Sequence, residues 1–152
     1  MTDLFSYTNA VNRLDKFIKC KLKDYARYRN YDYGSQEDNF VSAISPAITR
    51  KIVTEEFVIN RALDSFKYKT IGKYIEEVCW RTYWRGYLEQ HSDIWKQYIN
   101  SLDELESWRD DSDYLKAING DTRIRCFNVW INTLKKHNYL HNHTRMWFAS
   151  IW

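Results

Sequence analysis

Residues that break regular structure are scarce in this chain, and their scarcity limits the folds it can adopt. The 152 residues include one proline and four glycines, while Lys, Glu, Leu, Ile and Tyr are frequent. Sandwiches and barrels need many tight turns, which glycine and proline usually supply. The composition therefore favours helices, and the length is typical of one compact domain. We expect an all-α, multi-helix fold in which residues 1–152 form a single helical domain.

Apolar residues recur at helical spacing along most of the sequence. The pattern predicts helices over residues 3–28, 54–62, 71–90, 94–107, 112–118 and 124–136, followed by a last helix near the carboxyl end. A loop is predicted over residues 29–36 and a turn over 120–122, where Asn, Asp, Gly and Ser interrupt the periodicity. Thr54 is the expected cap of one helix, and Ser45 followed by Pro46 predicts the start of another.

Charge is unevenly distributed along the chain, although its sum is small. A total of 23 Lys and Arg residues opposes 20 Asp and Glu residues, and the net charge of +3 does not by itself identify a nucleic-acid binder. Residues 12–29 are mainly basic, whereas residues 103–113 are mainly acidic. A solvated helix face explains both runs, and it is the better explanation of the acidic one.

The chain shows no pattern typical of disulfide, zinc or membrane proteins. Cys20, Cys79 and Cys126 are widely spaced, and reduced thiols of this kind fit a cytoplasmic protein. No apolar run reaches the length of a membrane span, so no membrane partner is expected. His137 and His141 lie four residues apart without a clear third ligand, and no metal site is predicted.

One face of the predicted helix 71–90 carries an unusual set of side chains. Its positions i, i+3, i+4 and i+7 are occupied by Glu77, Trp80, Arg81 and Trp84. A stripe that faced the core would be apolar at these positions. Two interpretations stay open: the stripe is one wall of a polar pocket for a planar ligand, or the helix has buried tryptophans and an internal ion pair between Glu77 and Arg81.

The predicted helix start at Ser45 also has two interpretations. An uncapped helix start presents amide donors and the positive end of the helix dipole to an anion. Ser42 and Ser45 would add two hydroxyl groups beside those amides. The segment is therefore either a phosphate-binding loop or an ordinary helix start that is capped by a serine.

The last eight residues, from Arg145 to Trp152, resemble a helix that is buried on nearly every side. They contain no Gly, Asn or Pro that would end the helix, and the last turn carries no basic residue. We therefore expect the sequence to end before the fold does. Self-association or a missing carboxyl-terminal segment would cover this apolar helix.

Five segments together resemble the FAD-binding domain of the cryptochrome and DNA photolyase family. They are Tyr25-Ala-Arg-Tyr-Arg29, Val41-Ser-Ala-Ile-Ser-Pro46, Glu76-Glu-Val-Cys-Trp-Arg81, Gly120-Asp-Thr122 and Leu140-His-Asn-His-Thr-Arg-Met146, in the order and spacing of that family. The resemblance extends from about residue 20 to the end, and the last seven residues look most like bacterial photolyase-related proteins. It implies the amino-terminal part of a photolyase-type FAD-binding domain, truncated at its carboxyl end and without the antenna domain.

For the complete protein, the resemblance implies FAD as the cofactor and damaged DNA as the partner, with light-driven electron transfer from the flavin to a pyrimidine dimer. This chain alone is expected to be inactive. The implied cofactor-binding residues are Tyr25, Val41, Ser42, Ala43, Ile44, Ser45, Arg81, Asn142 and Arg145. The implied catalytic residues, which meet the lesion or line the space between flavin and lesion, are Glu77, Trp80, Asn142 and Met146. The implied DNA-binding residues are Arg29, Trp80 and His143.

Three departures from the family pattern leave the substrate type open. His143 stands in place of a DNA-contacting arginine, Asn128 in place of an aspartate, and Val41 in place of a threonine of the phosphate loop. The family's aspartates that bind the ribose and the isoalloxazine have no counterpart. The alternatives to a repair enzyme are a cryptochrome-like photoreceptor and a truncated, non-catalytic remnant that binds neither FAD nor DNA tightly.

Overall fold

The structure, a computed structural model, describes residues 6–34 and 38–152. Every regular element within these ranges is a helix, so the predicted all-α fold is confirmed. The chain divides into two compact units, the first ending at Trp84 and the second beginning at Arg85. The expected single domain stays a prediction.

The first unit is built from short helices and the amino-terminal part of one long helix. Its helices are α1 (Tyr7–Cys20), α2 (Tyr25–Tyr28), α3 (Ser45–Thr49), α4 (Glu55–Leu63) and α5 (Tyr68–Gln90), the last of which continues past the boundary at Trp84. A single 3-10 turn, Leu22–Asp24, joins α1 to α2. The core combines apolar residues of all five helices, among them Leu14, Tyr25, Ile48, Val58 and Ile71.

The prediction of one helix over residues 3–28 is wrong, because the helix is interrupted at Lys21. The backbone of Lys21 leaves the helical region (φ −135°, ψ −25°), and its Nζ donates a hydrogen bond to the Asn39 carbonyl at 2.9 Å. Buried apolar residues continue at helical spacing on both sides of this break, at Ile18, Leu22 and Tyr25. Periodicity therefore could not reveal the interruption. Residues 3–5 lie outside the described ranges.

The predicted helix start near Ser45 is present, but Ser45 is its first residue and not its cap. The cap position belongs to Ile44, which makes no side-chain capping bond. Its carbonyl accepts the amides of Ala47 at 3.0 Å and Ile48 at 3.2 Å. Because Ile44 is buried in the core, tertiary packing decides where this helix begins. Pro46 occupies the first turn, as predicted.

The remaining helices of the first unit agree with the sequence pattern. Thr54 caps α4, since its Oγ1 accepts a hydrogen bond from the Phe57 amide at 3.1 Å. Helix α5 begins at Tyr68, three residues before the predicted start at 71. The described part of the predicted loop, residues 29–34, contains no helix.

The second unit contains four further helices. They are α6 (Ser92–Glu104), which continues as a 3-10 turn over Leu105–Trp108, then α7 (Ser112–Asn119), α8 (Arg125–His137) and α9 (Asn142–Ile151). Its buried residues include Phe127 and Ile131 of α8, Leu140 before α9, and Thr144 on α9. The predicted turn at Gly120 is confirmed, because Gly120 adopts a left-handed conformation (φ 68°) at the end of α7.

No helix in the described ranges is long and apolar enough to cross a membrane.

Candidate functional site

The tryptophans of the α5 stripe are exposed, so the interpretation in which they are buried is wrong. Trp80 retains 46% and Trp84 52% of its accessible surface. Their rings stack with centroids 6.2 Å apart and an interplanar angle of 27°. Tyr83 packs edge-on against both indoles, at 5.2 Å from Trp80 and 5.4 Å from Trp84. This exposed aromatic surface offers ring faces to a planar ligand.

Glu77 forms an ion pair with a distant segment instead of with Arg81. Its Oε1 lies 2.8 Å from Arg29 Nη1 and 3.4 Å from Lys73 Nζ. The Arg29 and Glu77 side chains keep only 22% and 27% of their accessible surface, so the pair is largely shielded from solvent. Lys73 did not figure among the predicted site residues, although its i−4 position relative to Glu77 was a usable signal.

Tyr25 lies behind this ion pair, in the core. Its ring packs edge-on against Phe17 at 6.1 Å and against Tyr74 at 5.2 Å. Burial raises the pKa of Tyr25 to about 12, the negative charge of Glu77 adds to the rise, and Arg29 opposes it through its charge and a hydrogen bond. Tyr25, Arg29 and Glu77, which come from two separate segments, thus share one electrostatic environment.

The predicted phosphate loop, residues 41–45, is fixed by a hydrogen bond from α1 and by burial of its apolar residues. Arg13 Nε donates to the Ser42 carbonyl at 3.0 Å. Ala43 has a positive φ of 48°, and both Ala43 and Ile44 are buried, while Val41 is half-buried against the core. A left-handed alanine is strained, which indicates that the surrounding contacts impose this turn.

The phenol of Tyr74 is buried next to this loop. Burial raises the pKa of Tyr74, and a polar interaction with the Ser42 side chain offsets part of the rise. Among the residues that the structure describes, none forms a hydrogen bond of good geometry with the Tyr74 hydroxyl. Because a buried hydroxyl without a hydrogen bond is destabilising, a hydrogen-bond acceptor placed next to it would be favourable.

Arg81 connects α5 to the same loop. Its Nη2 donates a hydrogen bond to the Thr49 hydroxyl, which in turn donates to the Ser45 carbonyl at 2.8 Å. Arg81 Nε also lies 3.5 Å from Oε1 of Glu55. Burial opposes ionisation of Glu55, but its own backbone amide, Lys51 and Arg81 together lower the pKa of this carboxyl. The guanidinium is therefore fixed one helical turn from Ser45, and Glu55 is a site neighbour that the sequence pattern did not suggest.

The start of α3 can offer a phosphate only a few donors. Pro46 has no N–H, and the amides of Ala47 and Ile48 already donate to the Ile44 carbonyl. The donors that remain are the amide and the exposed hydroxyl of Ser45, with Arg81 nearby. This set fits one phosphate group rather than a full cradle of helix amides.

The other predicted site residues lie on α9, in the second unit. Asn142 is the first residue of that helix and is exposed, and 60% of the Met146 surface is accessible. His143 packs edge-on against Trp147 at 4.8 Å. Arg145 Nε donates to the Leu140 carbonyl at 3.0 Å. Their assignment to flavin, lesion or DNA stays a prediction.

Asn128, the residue that departs from the family's aspartate, has a structural role in the second unit. Its Oδ1 accepts from the Thr122 amide at 3.0 Å and from the Thr122 hydroxyl at 2.7 Å. Its Nδ2 donates to the Thr122 carbonyl at 2.8 Å. An aspartate could accept the same two bonds but could not donate the third.

Helix α9 is less buried than its composition suggests. Phe148 stacks on Phe127 at 5.0 Å with an interplanar angle of 8°, and Thr144 is fully buried. Trp147, Ile151 and Trp152 nevertheless remain exposed, as Met146 does.

No group of three or more His, Cys, Asp or Glu side chains suited to a metal ion occurs in residues 6–34 and 38–152.

Comparison with known proteins shows a similarity to a photolyase. The chain is 25% identical over 147 residues to a deoxyribodipyrimidine photo-lyase of Agrobacterium fabrum. The similarity supports a photolyase-related family. The matched region is 94% of this chain but spans only 30% of the length of that photolyase. No family model matches the chain. No solved structure matches it either.

Proposed function

We propose that this chain is part of a photolyase-like FAD-binding domain, and that the complete protein binds FAD and a pyrimidine dimer of damaged DNA for light-driven repair. The observation that carries the proposal is the set of bonds made by one face of α5. Glu77 contacts Arg29 beside Tyr25, and Arg81 reaches Ser45 through Thr49. Segments that the photolyase resemblance assigns to one site are thus joined directly within one unit.

The cofactor side of the proposal rests on Ser45 and Arg81. The amide and hydroxyl of Ser45 and the guanidinium of Arg81 would hold a phosphate of FAD, and the polar interior at Ser42 and Tyr74 would support the loop. FAD, when bound, would supply the light-driven electron. The protein residues would bind and orient the dinucleotide and keep charged groups in place around it.

The DNA side of the proposal rests on Trp80. An enzyme that acts on a base inside a duplex must extrude that base, and an exposed indole is a suitable stacking surface for it. Trp84 stacks behind Trp80 and limits the orientations of its ring. Arg29 would contact the DNA backbone, in competition with its ion pair to Glu77.

A titration of labelled duplexes with and without a thymine dimer tests the role of Trp80. Trp80→Ala should weaken binding of the damaged duplex by roughly 1–3 kcal/mol and leave the intact duplex almost unchanged, because only an extruded base reaches the indole. Trp95→Ala is the matched control, since Trp95 is also an exposed tryptophan on a helix. Equal weakening of both duplexes by Trp80→Ala would contradict a lesion-binding role.

The same titration at several salt concentrations tests Arg29. Arg29→Ala should weaken both duplexes about equally and reduce the slope of log K against log salt by about 0.9, as expected for the loss of one phosphate contact. Glu77→Gln should strengthen binding of the intact duplex, because it removes the carboxylate that competes for Arg29. An unchanged salt slope in Arg29→Ala would show that Arg29 does not contact DNA.

Flavin binding can be tested by comparing FAD with riboflavin, which lacks phosphates. Because α3 offers so few donors, we expect weak binding that favours FAD over riboflavin. Arg81→Gln should remove that preference, since a charge-assisted contact is worth about 1.5–3 kcal/mol. The readout is flavin fluorescence polarisation. Equal binding of FAD and riboflavin by the wild-type chain would contradict the phosphate site.

A further inference from the structure

A second aromatic surface of the first unit takes no part in the site described above. It consists of Tyr28, Tyr31, Tyr33 and Phe40, which we call the tyrosine platform. Tyr28 lies 4.8 Å from Phe40 and 6.2 Å from Tyr31 between ring centroids. Tyr31 and Tyr33 stack at 6.2 Å with an interplanar angle of 24°. Tyr33 lies 6.2 Å from Phe40, so each ring touches two others.

The outer rings of the platform are open to solvent. Tyr31 keeps 58% and Tyr33 50% of its accessible surface, although both rings belong to a connected cluster. Tyrosines that served only to fill the core would have their faces covered. The exposed faces are therefore available for stacking with a planar group.

The loop that carries the two outer tyrosines is held in place by a buried asparagine. Asn39 Oδ1 accepts from the Tyr33 amide at 2.6 Å, and its Nδ2 donates to Oδ1 of Asp32 at 3.2 Å. The Asn39 carbonyl accepts from Lys21 Nζ, and Asp32 Oδ1 also accepts from the Gly34 amide at 2.9 Å. These bonds fix the backbone beneath the rings and direct the Asp32 carboxylate towards the loop itself. Such pre-organisation lowers the entropic penalty of binding.

Two cations lie against the rings. Lys21 Nζ is 5.5 Å from the centroid of Phe40, and Arg27 Cζ is 5.1 Å from that of Tyr28. Both distances fall within the range of cation–π contacts. They bring positive charge to the edge of the platform, in a segment, residues 12–29, that is mainly basic. A ligand that carries both negative charge and planar rings would match this surface.

The aromatic residues of α6 make a useful contrast. Trp95 and Tyr98 are also exposed and pack against each other at 5.4 Å. Their helix runs into the acidic segment 103–113, so the field there repels an anion. Charge therefore separates the tyrosine platform from the exposed aromatic residues of α6.

We propose that the tyrosine platform binds an unpaired nucleic-acid strand, with bases stacked on Tyr31 and Tyr33 and phosphates near Arg27 and Lys21. Single strands are commonly held by aromatic side chains on which successive bases stack, next to basic groups that follow the backbone. This binding needs no lesion, flavin or light, so it goes beyond the repair function proposed above.

The test is a dark titration of the full chain, without FAD, against a short fluorescently labelled oligothymidylate that contains no pyrimidine dimer. A double variant, Tyr31→Leu with Tyr33→Leu, should weaken binding at least about tenfold, because stacked bases lose their ring partners. Tyr31→Phe with Tyr33→Phe keeps both rings and should bind as the wild type does. Tyr68→Leu is the matched control, since Tyr68 has the same exposure of 58% as Tyr31.

The salt dependence supplies a second readout. Arg27→Gln should reduce the slope of log K against log salt by about 0.7, the value expected when one phosphate contact to a single strand is lost. Circular dichroism of each variant confirms that its helices are intact. The proposal is overturned if the wild-type chain does not bind the oligothymidylate, or if the leucine double variant binds it as tightly as Tyr68→Leu does. Trp80 is retained in all of these variants, so weaker binding in the leucine double variant is due to the platform and not to the Trp80 surface.

Discussion

The ion pair between Arg29 and Glu77 predicts an asymmetric response to mutation. Glu77 has a second cation, Lys73, at 3.4 Å, whereas Arg29 makes no other ion pair within the described part of the chain. Glu77→Gln therefore leaves the Arg29 guanidinium without a counterion, in a place where only 22% of its surface is accessible. Arg29→Met leaves Glu77 still paired with Lys73. We expect the first change to destabilise the first unit more than the second.

The magnitude follows from the partial burial of the pair. Exposed ion pairs contribute about 0.2–1 kcal/mol, and removing one partner of a fully buried pair costs about 3–5 kcal/mol. Arg29 and Glu77, with a quarter of their surface accessible and 2.8 Å between them, fall between these limits. We expect a loss of about 2 kcal/mol in Glu77→Gln and about 1 kcal/mol in Arg29→Met. The coupling energy from the double-mutant cycle should be about 1 kcal/mol.

Urea unfolding, followed by circular dichroism, measures these losses. Glu76→Gln is the matched control, because Glu76 is the neighbouring residue on α5 and pairs with the same Lys73 at 3.2 Å, but half of its side chain is exposed. Its removal should lower the free energy of unfolding by less than about 0.5 kcal/mol. An NMR titration of Tyr25 adds a local readout: its pKa should fall below about 12 in Glu77→Gln and rise in Arg29→Met.

Two results would refute this reasoning. Equal destabilisation by Glu76→Gln and Glu77→Gln would mean that burial of the pair does not increase its contribution. A larger loss in Arg29→Met than in Glu77→Gln would mean that Lys73 does not compensate the Glu77 charge.

Three further predictions concern local features. Thr54→Ala should lower the free energy of unfolding by about 1 kcal/mol in a urea titration, because it removes the cap of α4; an unchanged midpoint would contradict this. Arg61 donates a hydrogen bond that lowers the pKa of Asp15. The stabilisation from this hydrogen bond is complete at pH values above the pKa of Asp15 in the unfolded chain, and it is lost as the pH falls through the lower pKa of Asp15 in the folded protein. The difference in Tm between wild type and Asp15→Asn should therefore shrink below about pH 3.9. Gly120→Ala should destabilise by about 1–2 kcal/mol in thermal unfolding, because φ is 68°, whereas helical Gly86→Ala should be neutral or stabilising; the reverse order would contradict it.

Local sequence was sufficient to predict most of the helices. Helix α4 and its cap Thr54, the long helix α5 and the turn at Gly120 all follow from spacing and turn chemistry. These features depend on interactions within a few residues, which apolar periodicity and capping residues report directly. The interruption at Lys21 was not predictable in this way, because buried residues keep helical spacing on both sides of it.

Only the tertiary structure decided which partners the site residues take. Spacing along α5 allowed Glu77 to pair with either Lys73 or Arg81, and nothing in the sequence indicated Arg29, which lies 48 residues away. The indoles of Trp80 and Trp84 could equally have been buried. Helical periodicity identifies the side chains that share a face, but it does not specify what lies opposite that face. The choice of partner depends on which segments pack together, and that is set by burial over the whole unit rather than by local spacing.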